Sequence, residues 1–305
     1  MADPLTIAGF PDVLDPRFRE ISDGAYKEGE DMIPRFYTAE TPTQTTERGS
    51  ALTGMGLWST FGGTITYDGP DQGYAWSSGY QEYAKGMQIE RALVEYDQFA
   101  IIDKLFRLLG VSARNTRQIE AAATFTNAFV VDSGYTTDEG LALCSDAHTS
   151  PRSSTSTTTG FDNLTTAAFS PTALKAIKIQ LMKLKQDNGQ PIDNHVADTV
   201  VGPVDLVDRA EEIFGTVDGL DVAEGTKNVL KNRYTYVPWI RLTNTRNFFV
   251  CNGEMMKENL VWFDKVKPEF SRMEDFSTIV ALYRGYGIWH RARKDWRWLV
   301  GANVG

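Results

Sequence analysis

The stretch Tyr96–Val131, YDQFAIIDKLFRLLGVSARNTRQIEAAATFTNAFVV, decides how the rest of the chain is read. Phe99, Ile102, Phe106, Leu109 and Ala113 recur at spacings of three and four, and Ile119, Ala122, Phe125 or Thr126 and Phe129 resume the stripe after a polar stretch. That period predicts a helix with one buried face. Asp97 stands where an N-cap belongs. Unbroken, the helix would run ~50 Å at 1.5 Å per residue, against a usual length of ~11–12 residues. Gly110 and β-branched Val111 mark a place where it could bend or stop, and Ala121-Ala122-Ala123 would let a neighbouring element come close. An ordinary core helix shows the same pattern, so the flanking segments decide.

Upstream, Pro4, Pro11, Pro16 and Pro34 break residues 1–34 into a segment read as an extended arm, with a short helix within Ile21–Glu30. Such an arm has no core of its own and lies on another surface or stays disordered. Arg35–Thr46 looks extended. From Glu47 to Gly79 glycines alternate with Met55, Leu57, Trp58, Phe61, Ile65, Tyr67, Tyr74 and Trp76. Disordered linkers rarely hold so many aromatics. Long loops inside a domain are usually functional. Two readings stand: a protruding hairpin whose tip buries its aromatics on a partner, or a β-rich subdomain that packs them within the chain. Gln81–Val94 returns as a strand into the long helix.

Downstream, a turn leads into Leu141–Ser145, and Thr149–Gly160 is a polar low-complexity loop. Pro171–Leu184 is an amphipathic helix capped by Ser170 with Pro171 at its first position, and Asp187-Asn188-Gly189 stops it. Thr199–Leu206 is a buried strand running into a helix to Phe214; Tyr234–Val237, Asn247–Cys251 and Leu260–Phe263 are short strands. Glu269–Trp298 alternates as a long antiparallel hairpin that closes on Trp296, Trp298 and Val300. Helices and strands in this order make an α+β fold.

The 305 residues carry a net charge of −9, which disfavours a dedicated nucleic-acid binder. Arg284, His290, Arg291, Arg293, Lys294 and Arg297 leave a locally basic face open. Cys144 and Cys251 show no disulfide framework or zinc spacing and read as reduced structural thiols. No signal peptide or apolar run of membrane-spanning length is present. No phosphate loop or HExxH is found, and Gly54-Met55-Gly56 lacks the third glycine of a dinucleotide fingerprint. His148, His195 and His290 are the only histidines. A triad of Ser145, His148 and Asp146 can be drawn but lacks a nucleophile-elbow motif. No catalytic residue, cofactor or metal is expected. Trp289, Trp296 and Trp298 alternate in strand fashion, which favours core packing over stacking on bases.

Across residues 35–305 the order of parts resembles the major capsid proteins of tailed bacteriophages, the HK97-type shell fold. The resemblance rests on the glycine- and aromatic-rich hairpin, the long helix, DEGLALCSDAH at 138–148, the helix start SPTAL at 170–174, GQPID at 189–193, VVGPVDLVDRAEEIF at 200–214 and the ending KDWR at 294–297. It implies an N-terminal arm (1–34), an E-loop hairpin (35–94), a peripheral domain (95–165 and 255–305) with a spine helix at 96–130, and an axial domain (166–254). It further implies self-assembly as hexamers and pentamers into an icosahedral phage head around double-stranded DNA, made in the host bacterial cytoplasm, with no membrane partner. Met55, Leu57, Trp58, Phe61 and Tyr67 would be the E-loop contacts to a neighbouring subunit. No long charged N-terminal region is present, so a scaffold would be a separate protein or a short removed segment; portal and decoration proteins would be further partners, and any DNA contact nonspecific. Some relatives cross-link the E-loop through lysine; Lys85 is the only lysine between Lys27 and Lys104 and sits at the hairpin's base, so no cross-link is expected. The alternatives are an encapsulin-like compartment shell and, from another class, a hydrolytic enzyme using Ser145 and His148.

Overall fold

A computed structural model describes residues 11–42, 44–52, 54–55, 57–65, 67, 69–70, 72–90, 99–132, 135–151, 160–215, 228–275 and 280–305. Its central element is helix α3, Phe99–Thr126, which runs unbroken through Gly110 and Val111. The proposed cap Asp97 lies outside the described residues. At 28 residues the helix is ~42 Å long.

The helix serves two cores. Ile102, Phe106 and Leu109 join Phe18, Ile89, Phe270 and Tyr283 in one. Ala121, Ala122 and Phe125 join a larger one with Trp239, Phe249, Val250 and Trp298. The polar stretch between the stripes is where the helix is pinned by charge. Arg117 forms a bidentate pair with Asp264, at 2.6 and 3.1 Å, and its guanidinium lies 5.2 Å from the centre of the Trp262 ring. Gln118 donates to Asp31 at 2.6 Å. Ile119, counted in the apolar stripe from spacing alone, is instead 57% exposed.

Over residues 11–27 the proline-broken N-terminal segment is helical, not extended, and residues 1–10 of the expected arm lie outside the described residues. Pro11–Lys27 forms helix α1, longer than the short helix expected at Ile21–Glu30. Pro11 stands at the first helical position, where proline is tolerated, Pro16 lies inside the helix, and α1 gains a core by packing on α3 within the same chain. Phe18 is fully buried, with its ring centroid 4.8 Å from both Phe106 and Tyr283. Gly110 explains why α3 does not break there: a Cβ would stand 2.2 Å from the Ser22 carbonyl oxygen, so the glycine serves close helix approach. A short helix α2 (Ile33–Phe36) follows.

Among the described residues the strands form three sheets. The first has the order β1 (Thr38–Glu40), β10 (Leu260–Asp275), β11 (Val280–Arg293) and β4 (Gln81–Glu90). Its long hairpin therefore starts at Leu260, and the short strand expected at Leu260–Phe263 is its beginning. β4, expected to close the glycine-rich hairpin, pairs antiparallel with β11 instead. The second sheet joins β6 (Leu164–Thr165), β12 (Leu299–Ala302), β9 (Phe248–Cys251), β7 (Thr199–Gly202) and β8 (Thr235–Pro238). It lies against helix α4 (Pro171–Met182), whose N-cap Ser170 accepts from the Ala173 N–H, and α5 (Val207–Gly215), whose Ile213 and Phe214 are buried. A seven-residue helix α6 (Gly253–Asn259) connects β9 to β10. The third sheet is β2 (Thr46–Leu52), β3 (Gln72–Gly79) and β5 (Tyr135–Thr137).

Candidate functional site

The glycine-rich hairpin divides in two. Its base packs within the chain: β2 and β3 pair antiparallel from Thr46↔Gly79 to Leu52↔Gln72. Trp76 stacks on Tyr135 at 6.3 Å, and Tyr80 donates to Glu47 at 2.9 Å. Gly49 faces Trp76 across the register, and a Cβ there would come 2.8 Å from the indole ring. The tip does the reverse. Trp58 is 97% exposed, Tyr67 91%, Leu57 77%, Phe61 75%, Ile65 62% and Met55 56%. The structure thus brings the predicted residues Met55, Leu57, Trp58, Phe61 and Tyr67 onto one projecting element. A hydrogen bond from Asn188 Nδ2 to the Met55 carbonyl at 3.0 Å ties that element to the turn at 187–189. Large exposed apolar patches on a protein mark interaction surfaces.

Most of the C-terminal cations are drawn into the subunit, though Arg284 is exposed and donates to Ser271 Oγ at 2.8 Å. Arg291 is buried, donating to Asp132 at 2.7 Å and to the Glu120 carbonyl at 2.8 Å. Arg297 bridges Asp187 and Asp295. Arg293 is buried over the Tyr135 ring, and desolvation pulls its pKa below the usual guanidinium value. His290 is buried, and Lys294 pairs with Glu40 at 2.8 Å. Arg291 and Arg293 lie two apart on one face of β11 and reach Asp132 and the Tyr135 ring, while Lys294 and Arg297 lie beyond the strand's end. Trp289, Trp296 and Trp298 are all core residues.

Ser145 and His148 are not joined. Ser145 Oγ accepts from the Ala147 N–H at 3.1 Å. His148 Nδ1 meets Glu139 at 3.0 Å, and its ring stacks at 4.0 Å on Trp296. Among the described residues no hydrogen bond links Ser145 to His148. His148 lines a cavity of about 240 Å³ with Glu139, Asp187 and Arg293. Burial raises the Asp187 pKa against the pull of Arg297. Among the described residues no group of three or more His, Cys, Asp or Glu is placed to hold a metal, and no helix is long and apolar enough to cross a membrane.

Solved structures share this architecture. The procapsid subunit of bacteriophage JBD30 aligns over 99% of this chain and 77% of its own, at TM-score 0.53 and 12% identity. The mature capsid of bacteriophage PhiM1 aligns over 90% and 87%, at TM-score 0.57 and 7% identity. The holo-SrpI encapsulin of Synechococcus elongatus PCC 7942 aligns over 89% and 86%, at TM-score 0.51 and 9% identity. Likeness at such identities speaks for the fold: the chain has the HK97-like fold of capsid shell subunits. No curated protein matches the sequence. The family whose model does match, over residues 81–302, is described as phage capsid protein, and the chain belongs to it. It is a structural shell protein of a bacteriophage capsid.

The clamp Arg117–Asp264 and the buried ion pairs of β11 were not read from sequence. The available signal was the polar interruption of the α3 stripe between Ala113 and Ala121.

Proposed function

We propose that this chain is the major capsid protein of a tailed phage, assembling as hexamers and pentamers into an icosahedral head around double-stranded DNA. In this reading residues 35–94 are the E-loop region, α3 is the spine of the peripheral domain, residues 166–254 form the axial domain, and assembly takes place in the host cytoplasm. The observation that carries it is the hairpin tip, whose apolar side chains have no place within their own subunit. Burying one large side chain is worth about 1.5–3 kcal/mol. Trp58 and Phe61 together would supply about 3–6 kcal/mol to each contact, repeated around a closed shell. The net charge of −9 and the internal pairing of the C-terminal arginines favour weak, nonspecific contact with packaged DNA.

The test is electron microscopy of purified subunits, with scaffold supplied if shells do not form alone. Closed shells are expected, and Trp58→Ser with Phe61→Ser should leave a folded subunit with strongly reduced shell yield. Unchanged yield would remove the hairpin reading. The encapsulin match favours a second reading, a compartment shell. Nuclease-protected DNA inside particles made in the host would support the phage head, and enclosed protein cargo the compartment.

A further inference from the structure

The cavity of about 240 Å³ that His148 lines lies between the base of the glycine-rich hairpin, the 139–148 loop, the turn at 186–192 and the end of β11. Its walls are apolar at Trp76, Leu143, Ile192, Met255 and Trp296. Gln186 and Lys294, which also line it, are exposed, so its mouth reaches solvent. It falls just below the ~300–1,000 Å³ of drug-sized ligand sites, and suits a small molecule.

Arg293 sets the chemistry of this cavity. The residue is 8% exposed and lines the space. The other buried arginines among the described residues, Arg117, Arg291 and Arg297, each hold a carboxylate. Among the described residues no carboxylate forms an ion pair with Arg293. Its neighbours are the Tyr135 ring, whose centre is 4.8 Å from the guanidinium carbon, and the Tyr135 hydroxyl, to which it donates. A guanidinium offers five N–H groups in a fork that matches a carboxylate. A buried cation without a counter-ion is costly, so an incoming anion is favoured there.

The acids of the lining are already engaged. Glu139 accepts from the Thr149 N–H at 2.8 Å and meets His148 Nδ1 at 3.0 Å. Asp187 and Asp295 share Arg297. Their charges limit how much further negative charge can enter, which favours a singly charged carboxylate over a phosphate dianion.

We propose that this cavity binds a small carboxylic acid as its anion, the carboxylate on Arg293 and the carbon body against the apolar walls. The site does not depend on where the hairpin tip docks.

The test is calorimetric titration of the purified subunit with benzoate, benzamide and inorganic phosphate, with tryptophan fluorescence and the melting curve read alongside. Benzoate should bind, alter the fluorescence of Trp76 and Trp296, and raise the melting temperature. Benzamide, of the same shape without the charge, and phosphate should each bind at least about tenfold more weakly. Arg293→Lys keeps the charge but loses the planar fork, and should weaken benzoate about tenfold. Leu141→Trp fills a half-buried lining position and should abolish benzoate binding in a subunit that still unfolds cooperatively. No benzoate binding up to about 10 mM, equal affinity for benzamide or phosphate, or unchanged affinity in Leu141→Trp would overturn the assignment. Benzoate bound by free subunits but not by closed shells would overturn the small-acid source and give the site to an acidic residue of a neighbouring chain.

Discussion

Gly110→Ala separates two views of the long helix. In an exposed helix interior this exchange stabilises by about 0.8–1 kcal/mol, because alanine is the better helix former. Here the added Cβ would meet the Ser22 carbonyl oxygen at 2.2 Å, the Ser22 carbonyl carbon at 3.0 Å and Ala25 Cβ at 3.2 Å. Two of these three atoms belong to the backbone and have no rotamer by which to yield. Helix α1 would have to retreat by about 1 Å, and a gap of ~0.5–1 Å forfeits a quarter to a half of a dispersion contact. The loss falls on Phe18 against Phe106 and Tyr283 and on the hydrogen bond from Ser22 Oγ to the Phe106 carbonyl, at 3.2 Å. Overpacking of this sort costs about 1–3 kcal/mol, so after the propensity gain the net effect should be a destabilisation of up to about 2 kcal/mol. The assay is urea unfolding of the unassembled subunit, with hydrogen exchange of α1 read alongside. A lower midpoint and faster exchange in α1 are expected. A variant more stable than the parent would refute the close docking of α1 on α3.

Four further outcomes follow from the same geometry. Arg291→Ala leaves Asp132 buried without its main partner and should cost about 3–5 kcal/mol, read by the same unfolding assay. Stability should fall on acidification through His195, whose pKa burial lowers below 6.5 against the opposing pull of the Arg297 carbonyl and Asp295, while Asn252 Nδ2 donates to Nδ1 of the neutral ring. The unfolded state then binds more protons, so this contribution is intact above pH 6.5 and lost progressively below it; His195→Gln should flatten that part of a melting profile against pH, and an unchanged slope would contradict the assignment. Cys144 and Cys251 are buried with pKa values raised chiefly by desolvation, so thiol reagents should label them only as the chain unfolds; immediate labelling of the folded subunit would contradict the packing. Ser170→Ala removes the cap on the Ala173 N–H and should cost about 1 kcal/mol.

The parts of the molecule governed by local rules were legible in the sequence. The three- and four-residue period of Ile102, Phe106 and Leu109 produced α3, and Ser170-Pro171 produced the start of α4, because both signals act within one or two helical turns. The glycine and aromatic content of residues 47–79 pointed away from a disordered linker but left a protruding hairpin and an internally packed β subdomain both open; the base packs within the chain and the tip side chains are exposed. The order of these parts was enough to suggest the shell fold. Tertiary structure decided what depends on residues far apart in the chain. Only the approach of α1 shows that Gly110 is a contact and not a break, and that the proline-rich N-terminus has a core to fold against. Arg291 and Arg297 have acidic partners on distant segments, Asp132 and Asp187, so part of a cluster basic in sequence is internally paired in space. Spacing alone put Ile119 in the buried stripe, whereas it is exposed where α3 passes from one core to the other. Periodicity shows that a face exists, but what covers that face is set by contacts between elements, which no local pattern encodes.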